Sequence, residues 1–397
     1  MTKTFVVVGA NVAGGRAAET LRAEGFDGRV VLIGDEPDRP YERPPLSKEV
    51  VRAESDPVYL RDEDWYRSNE IELLVGVRAT ELDPSGSVAL DTGERLAFDA
   101  CLLATGGRPR RLPGTDIEGV HYLRTVRDAL ALRDALAGKL RVVVVGAGFI
   151  GAEVAASARV LGCDVTMIEV LDVPLMRVLG AELGATYARI HRDHGVDLRL
   201  GEGVDKVTGD SVVGTSGSVY PADLVVIGVG IEPNVELARD AGIQCDNGIV
   251  VDELCRTSAP NVFAAGDVAN RPDRLSGGRI RTEHFQNAQN QGPAAARSML
   301  GKGEPFDEVP WFWSDQYDVN LQTLGHPSGD HERVTRGNVD DLDFITFDLA
   351  GDRVIAAVAM NRGRDISATR RLIERRVKLD RAKLADDDVP LRELLRS

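Results

Sequence analysis

Three glycines, Gly146, Gly148 and Gly151, stand where a chain turns sharply from a strand into a helix. Four valines before them predict a buried strand, and an alanine-rich segment after them predicts a helix that ends near Gly162. The first glycine makes the turn, the second lets backbone N–H groups approach a pyrophosphate, and the third allows close packing of helix and strand. Because the helix N-terminus favours negative charge, we predict a pyrophosphate site here.

Glu169 closes the next predicted strand, residues 163–168, and follows Gly146 by 23 positions (169 − 146). A carboxylate at this place accepts a hydrogen bond from a ribose 2′-hydroxyl and repels a 2′-phosphate. The sequence therefore favours NAD over NADP. Arg177, eight positions further on (177 − 169), is a cation that softens this preference.

The same pattern occurs near the start of the chain, in residues 4–14. Gly9 and Gly14 hold the outer glycine positions, 137 residues before Gly146 and Gly151 (146 − 9 and 151 − 14). Asn11 replaces the middle glycine. We expect its side chain to crowd the phosphate approach, and its tolerance of unusual backbone angles to make the replacement acceptable.

The strand predicted at residues 30–33 leads to two acids, Asp35 and Glu36, one of which is the expected second ribose acceptor. Acids that close both units suggest that both copies bind a dinucleotide. A flavin and a nicotinamide are the natural pair, because hydride passes directly between stacked rings.

Three further segments carry candidate site residues. Residues 39–48, RPYERPPLSK, contain three prolines and predict a loop without regular structure, with Arg43 and Lys48 as its cations. Residues 98–108 and 261–267 each predict a buried strand that ends in small residues. Residues 283–291, EHFQNAQNQ, predict the start of a helix.

The composition changes at residue 311, and the rest of the chain predicts a separate α+β domain. Short strands are expected at residues 321–324, 342–348 and 354–360, followed by a basic helix at 367–376. Residues 362–378, the basic stretch, have a local net charge of +5 from two acids, Asp365 and Glu374, and seven cations: Arg362, Arg364, Arg370, Arg371, Arg375, Arg376 and Lys378.

The bulk properties are those of an ordinary globular protein of two to four domains: 397 residues, 43% hydrophobic and 28% charged. A net charge of −15 argues against nucleic acid and anionic membranes as partners. No apolar run is long enough for a membrane span, and a first strand at Thr4 leaves no room for a signal peptide, so the cytoplasm is the expected location.

Cysteine and histidine suggest no redox or metal chemistry. The four cysteines form no CxxC pair and are expected to be small buried residues, which disfavours a disulfide oxidoreductase. His191 and His194 are expected on a solvated helix, and no metal site is predicted.

Taken in order, six motifs resemble those of the FAD-dependent NADH:ferredoxin reductases of bacterial oxygenase and cytochrome P450 systems. They are RPPLSK at 43–48, LATGGRPR at 103–110, GAGFIGAE at 146–153, GVGIEPN at 228–234, AAGDVA at 264–269 and WFWSDQ at 311–316. The resemblance covers the whole chain. It implies an α/β fold of the glutathione reductase type, with two Rossmann-like domains and a C-terminal α+β domain. The expected boundaries are 1–115 and 241–310 for FAD, 116–240 for NAD and 311–397 for the last domain.

The resemblance also implies cofactor contacts. The candidate FAD residues are Gly9, Ala13, Gly14, Asp35, Glu36, Arg43, Lys48, Ala79, Ala104, Thr105, Gly106, Arg124, Gly266, Asp267, His284 and Phe285. The candidate NAD residues are Gly146, Gly148, Phe149, Ile150, Gly151, Glu153, Glu169, Arg177, Gly228 and Gly230.

Two of these residues are the expected catalytic groups. By resemblance, Lys48 lies near the flavin, offsets negative charge that develops on the ring, and pairs with Glu153 across two domains. Glu153 also orients the nicotinamide carboxamide. With no dithiol between, electrons are expected to leave the flavin singly, which suits a [2Fe–2S] ferredoxin that serves an oxygenase or P450.

The expected ferredoxin-docking surface is the basic stretch, with Arg61 as a further contact and Trp313 beside the exit route. A monomer or weak dimer is expected.

Two other functions remain open from the sequence. One is an NADH oxidase or nitrite-reductase-type flavoprotein, although such oxidases commonly carry a reactive cysteine near residue 40 and RPYERPPLSK has none. The other is an NADH-responsive redox sensor that resembles apoptosis-inducing factor, in which turnover is incidental.

Overall fold

The structure is a computed structural model that describes residues 2–138, 140–327 and 331–396. The contacts divide the chain into two compact units. The first consists of Met1–Pro45, Pro57–Arg108 and Ile231–Glu308, and the second of Leu46–Asp56, Pro109–Gly230 and Val309–Ser397. The predicted three-domain boundaries stay a prediction.

The elements are numbered in chain order. The strands of the described residues are β1 (Thr4–Val8), β2 (Arg29–Gly34), β3 (Ile71–Val75), β4 (Ala79–Asp83), β5 (Ser87–Leu90), β6 (Arg95–Ala97), β7 (Ala100–Leu103), β8 (Gly107–Pro109), β9 (Val120–Tyr122), β10 (Arg141–Val145), β11 (Asp164–Glu169), β12 (Asp197–Leu200), β13 (Val204–Val207), β14 (Ser211–Gly214), β15 (Val219–Pro221), β16 (Leu224–Ile227), β17 (Ile231–Pro233), β18 (Ile249–Val250), β19 (Val262–Ala264), β20 (Ala269–Pro272), β21 (Arg279–Arg281), β22 (Trp311–Gln316), β23 (Val319–Leu324), β24 (Glu332–Asn338), β25 (Asp343–Ala350) and β26 (Arg353–Met360).

The α-helices in the same ranges are α1 (Val12–Ala23), α2 (Glu63–Ser68), α3 (Val126–Ala135), α4 (Phe149–Val160), α5 (Met176–Asp193), α6 (Glu236–Asp240), α7 (Phe285–Met299), α8 (Gly363–Glu374) and α9 (Arg381–Ala385). Short 3-10 helices form at Pro44–Ser47, Gly266–Val268 and Leu394–Arg396.

A parallel sheet in the order β19-β7-β1-β2-β3 is the centre of the first unit. Strands β1, β2 and β7 are largely apolar because both of their faces are buried. On one face Val7 and Leu102 pack with Leu21 of α1 and Ala295 of α7. On the other face, the core includes residues of the antiparallel sheet β4-β5-β6.

The second unit repeats this design. Its parallel sheet has the order β12-β11-β10-β16-β9. Val144 of β10 pairs in register with Met167 of β11 and with Val226 of β16. The antiparallel sheet β13-β14-β15 contributes Val212 and Tyr220 to the same core.

An antiparallel sheet in the order β22-β23-β26-β25-β24 completes the second unit. Helix α5 packs on it through Leu183 and Tyr187, which meet Leu321, Phe344 and Met360 in one apolar cluster. The strands predicted in this region are present. Two further strands, β22 and β24, and the helix α8 complete the α+β arrangement.

The prediction for the proline-rich segment, residues 39–48, is wrong. Residues 39–48 were expected to lack regular structure, yet Pro44–Ser47 form a turn of 3-10 helix. The fixed proline φ lies close to the value that this helix requires, so the prolines favour the turn. Among the described residues, no helix is both long and apolar enough to cross a bilayer.

Candidate active site

The second glycine turn is held by backbone packing. Gly146 has a φ of +97°, and an added Cβ would lie 2.4 Å from the carbonyl oxygen of Gly228. A Cβ on Gly151 would lie 2.0 Å from the carbonyl oxygen of Gly146. Gly148 differs, because the nearest atom to its added Cβ is the Gly228 oxygen at 4.0 Å. The protein itself therefore leaves space beside the middle glycine.

The N-terminus of α4 is suited to an anion. Gly148 is its N-cap, with no side-chain cap, and no acidic residue lies in the first turn. The N–H groups there have no intrahelical partner and lie at the positive end of the helix. Together with the open space at Gly148, these features fit a pyrophosphate.

Glu169 lies beside this turn, as expected. Its carboxylate accepts hydrogen bonds from the backbone N–H of Ala147 at 2.7 Å and of Leu171 at 3.0 Å. These bonds fix the carboxylate at the glycine turn, and each oxygen keeps a second lone pair for a ligand hydroxyl. Arg177 is exposed on α5, and Ile150 is partly exposed in the first turn of α4.

The first glycine turn has the same construction. Gly9 has a φ of +115°, and its added Cβ would lie 2.1 Å from the carbonyl oxygen of Ala104. A Cβ on Gly14 would lie 1.9 Å from the Gly9 oxygen. The two copies thus share the contacts that require glycine at their outer positions.

The predicted reason for the presence of Asn11, its tolerance of unusual backbone angles, is wrong. Its φ of −109° is ordinary extended backbone, so no unusual angle is involved. The side chain donates from Nδ2 to the carbonyl oxygen of Ala104 at 2.5 Å and accepts from the N–H of Gly14 at 3.4 Å. Asn11 therefore joins the end of β7 to the start of α1.

The acids after β2 have different surroundings. Asp35 has 59% of its side chain exposed and lies 3.6 Å from Arg78. Glu36 is partly buried, accepts from the Tyr41 hydroxyl at 2.5 Å, and lies 2.6 Å from Arg43. Glu36 is thus the acid that the structure fixes in place.

Arg43 links Glu36 to Asp267, another predicted FAD residue. Burial alone lowers the pKa of its guanidinium, but Tyr41 and Glu36 outweigh burial and raise that pKa above its ordinary value. Asp267 adds to the same effect, which places it near Arg43. Three predicted FAD residues therefore share one charged cluster.

Other predicted FAD residues make close contacts within the first unit. An added Cβ on Gly266 would lie 2.9 Å from the Cβ of Ala13. Thr105 donates to the carbonyl oxygen of Asn234 at 2.7 Å, and Gly106 accepts from the N–H of the same asparagine.

The remaining candidate cofactor residues lie at or next to the ends of helices and strands. His284 is the N-cap of α7 and Phe285 its first residue. Ala79 begins β4. In the second unit, Arg124 precedes α3, and Gly230 has a φ of +107° beside Arg110.

The predicted pair of Lys48 and Glu153 is present, and both residues lie in the second unit. The Nζ of Lys48 is 3.3 Å from Oε1 of Glu153, and their side chains are 7% and 5% exposed. A buried carboxylate needs such a partner, because an unpaired charge away from water is costly.

Two serines that the sequence analysis did not single out complete the Glu153 site. Ser314 donates to Oε1 at 2.6 Å, and Ser47 donates to Oε2. Both are fully buried side chains from two of the quoted motifs, RPPLSK and WFWSDQ. Phe149 packs nearby on Phe312, with ring centroids 4.2 Å apart.

The basic stretch needs a correction at Arg362, which is only 3% exposed. Its guanidinium is held by Asp343 at 2.7 Å and by Asp387 at 2.6 Å. It therefore supports the C-terminal sheet and is not part of a surface. The exposed cations of the stretch are Arg364, Arg371, Arg375, Arg376 and Lys378.

His191 also differs from expectation. It was predicted on a solvated helix, yet its side chain is fully buried. Its ring lies between Gln316, 3.0 Å from Nε2, and Tyr317, 3.1 Å from Nδ1. The face of α5 that carries His191 is covered by the C-terminal sheet.

The paired glycine turns, each with a fixed acid, and the buried Lys48–Glu153 pair define an oxidoreductase with two dinucleotide-binding folds. Family models agree. A pyridine nucleotide-disulphide oxidoreductase model matches residues 3–292, and a reductase C-terminal model matches residues 311–395. The chain belongs to the pyridine nucleotide-disulphide oxidoreductase family, among the ferredoxin–NAD(+) reductase components of oxygenase systems.

Individual relatives extend over the whole chain. The reductase component of the anthranilate 1,2-dioxygenase system from Burkholderia cepacia is 43% identical and is matched over 98% of this chain and 99% of its own length. Rhodocoxin reductase from Rhodococcus erythropolis is 39% identical, over 98% and 93%.

A solved structure shows the same fold. The covalent complex of putidaredoxin reductase with putidaredoxin matches with a TM-score of 0.95 and 38% identity, over 99% of this chain and 98% of that one. These comparisons confirm the predicted resemblance, fold class and enzyme class.

Proposed function

We propose that this protein is an NADH-dependent, FAD-containing reductase that passes electrons to a [2Fe–2S] ferredoxin of an oxygenase or P450 system. The observation that carries the proposal is the buried Lys48–Glu153 pair next to the second glycine turn. Bound FAD supplies the step between a two-electron hydride donor and a one-electron acceptor.

The first unit has the residues to hold FAD. The glycine turn at Gly9 and Gly14 and the N-terminus of α1 suit the pyrophosphate. Glu36, fixed by Tyr41 and Arg43, is the acceptor proposed for the adenosine ribose.

The second unit has the residues to hold NADH. Gly148 and the N-terminus of α4 receive the pyrophosphate, and Glu169 accepts from the ribose hydroxyls. Glu153 orients the nicotinamide end, since it lies one helical turn inside α4 and is fixed by two serine hydroxyls. Lys48 is the counter-ion of this carboxylate and places a cation where negative charge develops during hydride transfer.

The ferredoxin surface is proposed around helix α8. Arg364, Arg371 and Arg375 are exposed there, in a chain whose net charge is otherwise negative. Trp311 and Trp313 of β22 stack with centroids 5.1 Å apart, and the Arg370 guanidinium lies 5.8 Å from the Trp311 ring centre. A cationic rim beside aromatic side chains suits an acidic partner.

Anaerobic stopped-flow spectroscopy tests this function. NADH mixed with the holoenzyme is expected to bleach the flavin absorbance, and a [2Fe–2S] ferredoxin added next is expected to restore it while losing its own visible absorbance. Salt is expected to raise the ferredoxin concentration that half-saturates the second step. A flavin that stays reduced in the presence of ferredoxin would refute the proposal, and a salt-independent concentration would refute the charged surface.

A further inference from the structure

A chain of buried polar side chains leads away from Glu153. Ser314 Oγ is 2.6 Å from Glu153 Oε1, and Gln316 Nε2 is 3.2 Å from Ser314 Oγ. Gln316 Oε1 is 3.0 Å from Nε2 of His191, whose Nδ1 is 3.1 Å from the Tyr317 hydroxyl. Each contact has the length of a hydrogen bond.

The donors in this chain can be assigned from Glu153 outwards. An ionised carboxylate only accepts, so the Ser314 hydroxyl donates its single proton to Glu153. Ser314 must then accept from the Gln316 amide, which leaves the amide oxygen of Gln316 facing His191. His191 therefore donates from Nε2, and its bare Nδ1 accepts from the Tyr317 hydroxyl. Every proton points towards Glu153.

Resting on the function proposed above, we infer that Ser314, Gln316 and His191 are positioning residues that hold Glu153 for NADH. Their aligned hydrogen bonds reinforce one another in a buried, low-dielectric setting. The carboxylate is thereby fixed by a donor on Oε1 that originates from the C-terminal sheet, in addition to Lys48 and Ser47.

The side chains around these hydrogen bonds are consistent with a neutral His191. The pKa of His191 is lowered to about 4, chiefly by burial; the Gln316 hydrogen bond opposes the shift, and the charge of His194 adds to it. His194 stacks on Tyr317 with centroids 3.7 Å apart. Tyr187 of α5 lies near Glu153 and is fully buried, and burial raises the pKa of its hydroxyl.

The first test is the tautomer of His191 in the holoenzyme at pH 7, read by long-range ¹H–¹⁵N NMR of histidine-labelled protein. His191→Gln identifies its signals among the six histidines. The expected result is a proton on Nε2 and none on Nδ1. A proton on Nδ1 would reverse Gln316 and Ser314 and so overturn the inference.

The second test is a double-mutant cycle with Ser314→Ala and Gln316→Leu. Each single variant is expected to lower the affinity for NAD⁺ and the rate of flavin reduction by NADH by about tenfold, because a hydrogen bond to a charged group is lost. The double variant is expected to lose no more than the worse single variant, since Gln316 acts through Ser314. Additive losses would overturn the inference.

A shape-preserving variant and a control complete the design. Gln316→Glu keeps an acceptor for His191 but removes the donor to Ser314, so the same loss of NAD⁺ affinity is expected. An unchanged NAD⁺ affinity would contradict the proposed row of hydrogen bonds. Thr346→Val is the control, because this buried hydroxyl of the same sheet donates to Val358 and not towards Glu153. None of these measurements uses ferredoxin, so failure of the positioning inference is distinguishable from failure of the proposed function.

Discussion

Lys48 Nζ lies 3.3 Å from Oε1 of Glu153, and neither side chain has more than a small exposed fraction. The lysine comes from the segment Leu46–Asp56, which packs within the second unit, and the glutamate from the first turns of α4. A pair buried to this degree stabilises each partner only while both are present. The pair therefore connects the segment Leu46–Asp56 to α4, the helix proposed to hold NADH.

Replacement of Lys48 is expected to slow chemistry more than binding. Lys48→Ala removes the cation that offsets developing negative charge and leaves Glu153 without its counter-ion. Flavin reduction at saturating NADH should fall roughly 100-fold in stopped-flow experiments. Lys302→Ala, which removes an exposed lysine paired with Glu24, is the matched control and should leave the rate unchanged. An unchanged rate in Lys48→Ala would remove its proposed role.

Glu36 and Asp35 are neighbours with opposite expectations. Glu36→Gln should weaken FAD binding about tenfold or more, since it removes a fixed charged acceptor. Asp35→Asn should change FAD affinity little, because this side chain is largely exposed. Titration of apoprotein with FAD, followed by quenching of flavin fluorescence, measures both. The reverse ranking would assign the ribose to Asp35.

Glu169 is expected to set the preference for NADH. Glu169→Gln removes the charge that repels a 2′-phosphate and weakens the bond to the ribose hydroxyl, so the ratio of kcat/KM for NADH to that for NADPH should fall about tenfold. Arg177→Ala should shift the ratio the other way, because it removes a nearby cation. If Glu169→Gln leaves the ratio unchanged, specificity has another source.

His191 predicts a pH dependence of stability. Its pKa in the folded protein, about 4, lies below the ordinary value of 6.5, so the unfolded chain takes up the proton first as the pH falls. Stability from this group is complete above pH 6.5 and is lost between about 6.5 and about 4, by about 3 kcal/mol across the window.

Urea unfolding at pH 7.5 and at pH 4.5, in wild type and in His191→Gln, checks this. The free energy of unfolding should fall less with pH in the variant than in the wild type. Equal pH dependence in the two proteins would mean that His191 keeps its ordinary pKa.

The sequence was sufficient for features whose causes are local. Both glycine turns could be predicted because strand, glycine spacing and helix follow one another within a few residues. Glu169 was placed by the same spacing. The ion pair of Lys48 and Glu153 came from the resemblance and is present in the structure.

Features that depend on distant residues could not be read from a local pattern. Asn11 donates to the carbonyl oxygen of Ala104, 93 positions away, so the link that it makes between α1 and β7 is not visible in the local sequence. The spacing of His191 and His194 does not reveal which face of α5 the C-terminal sheet covers. Arg362 looks like its basic neighbours, but its partner Asp387 lies 25 positions further on.

Steady-state reduction of cytochrome c by NADH, with and without a [2Fe–2S] ferredoxin, tests the central claim most directly. The account predicts slow reduction by the holoenzyme alone and a strong increase when ferredoxin is added, with little NADH consumed in its absence. Rapid NADH consumption without ferredoxin, yielding peroxide or water, would contradict it and indicate an oxidase. Little turnover on any acceptor after flavin reduction would contradict it as well and favour a redox sensor.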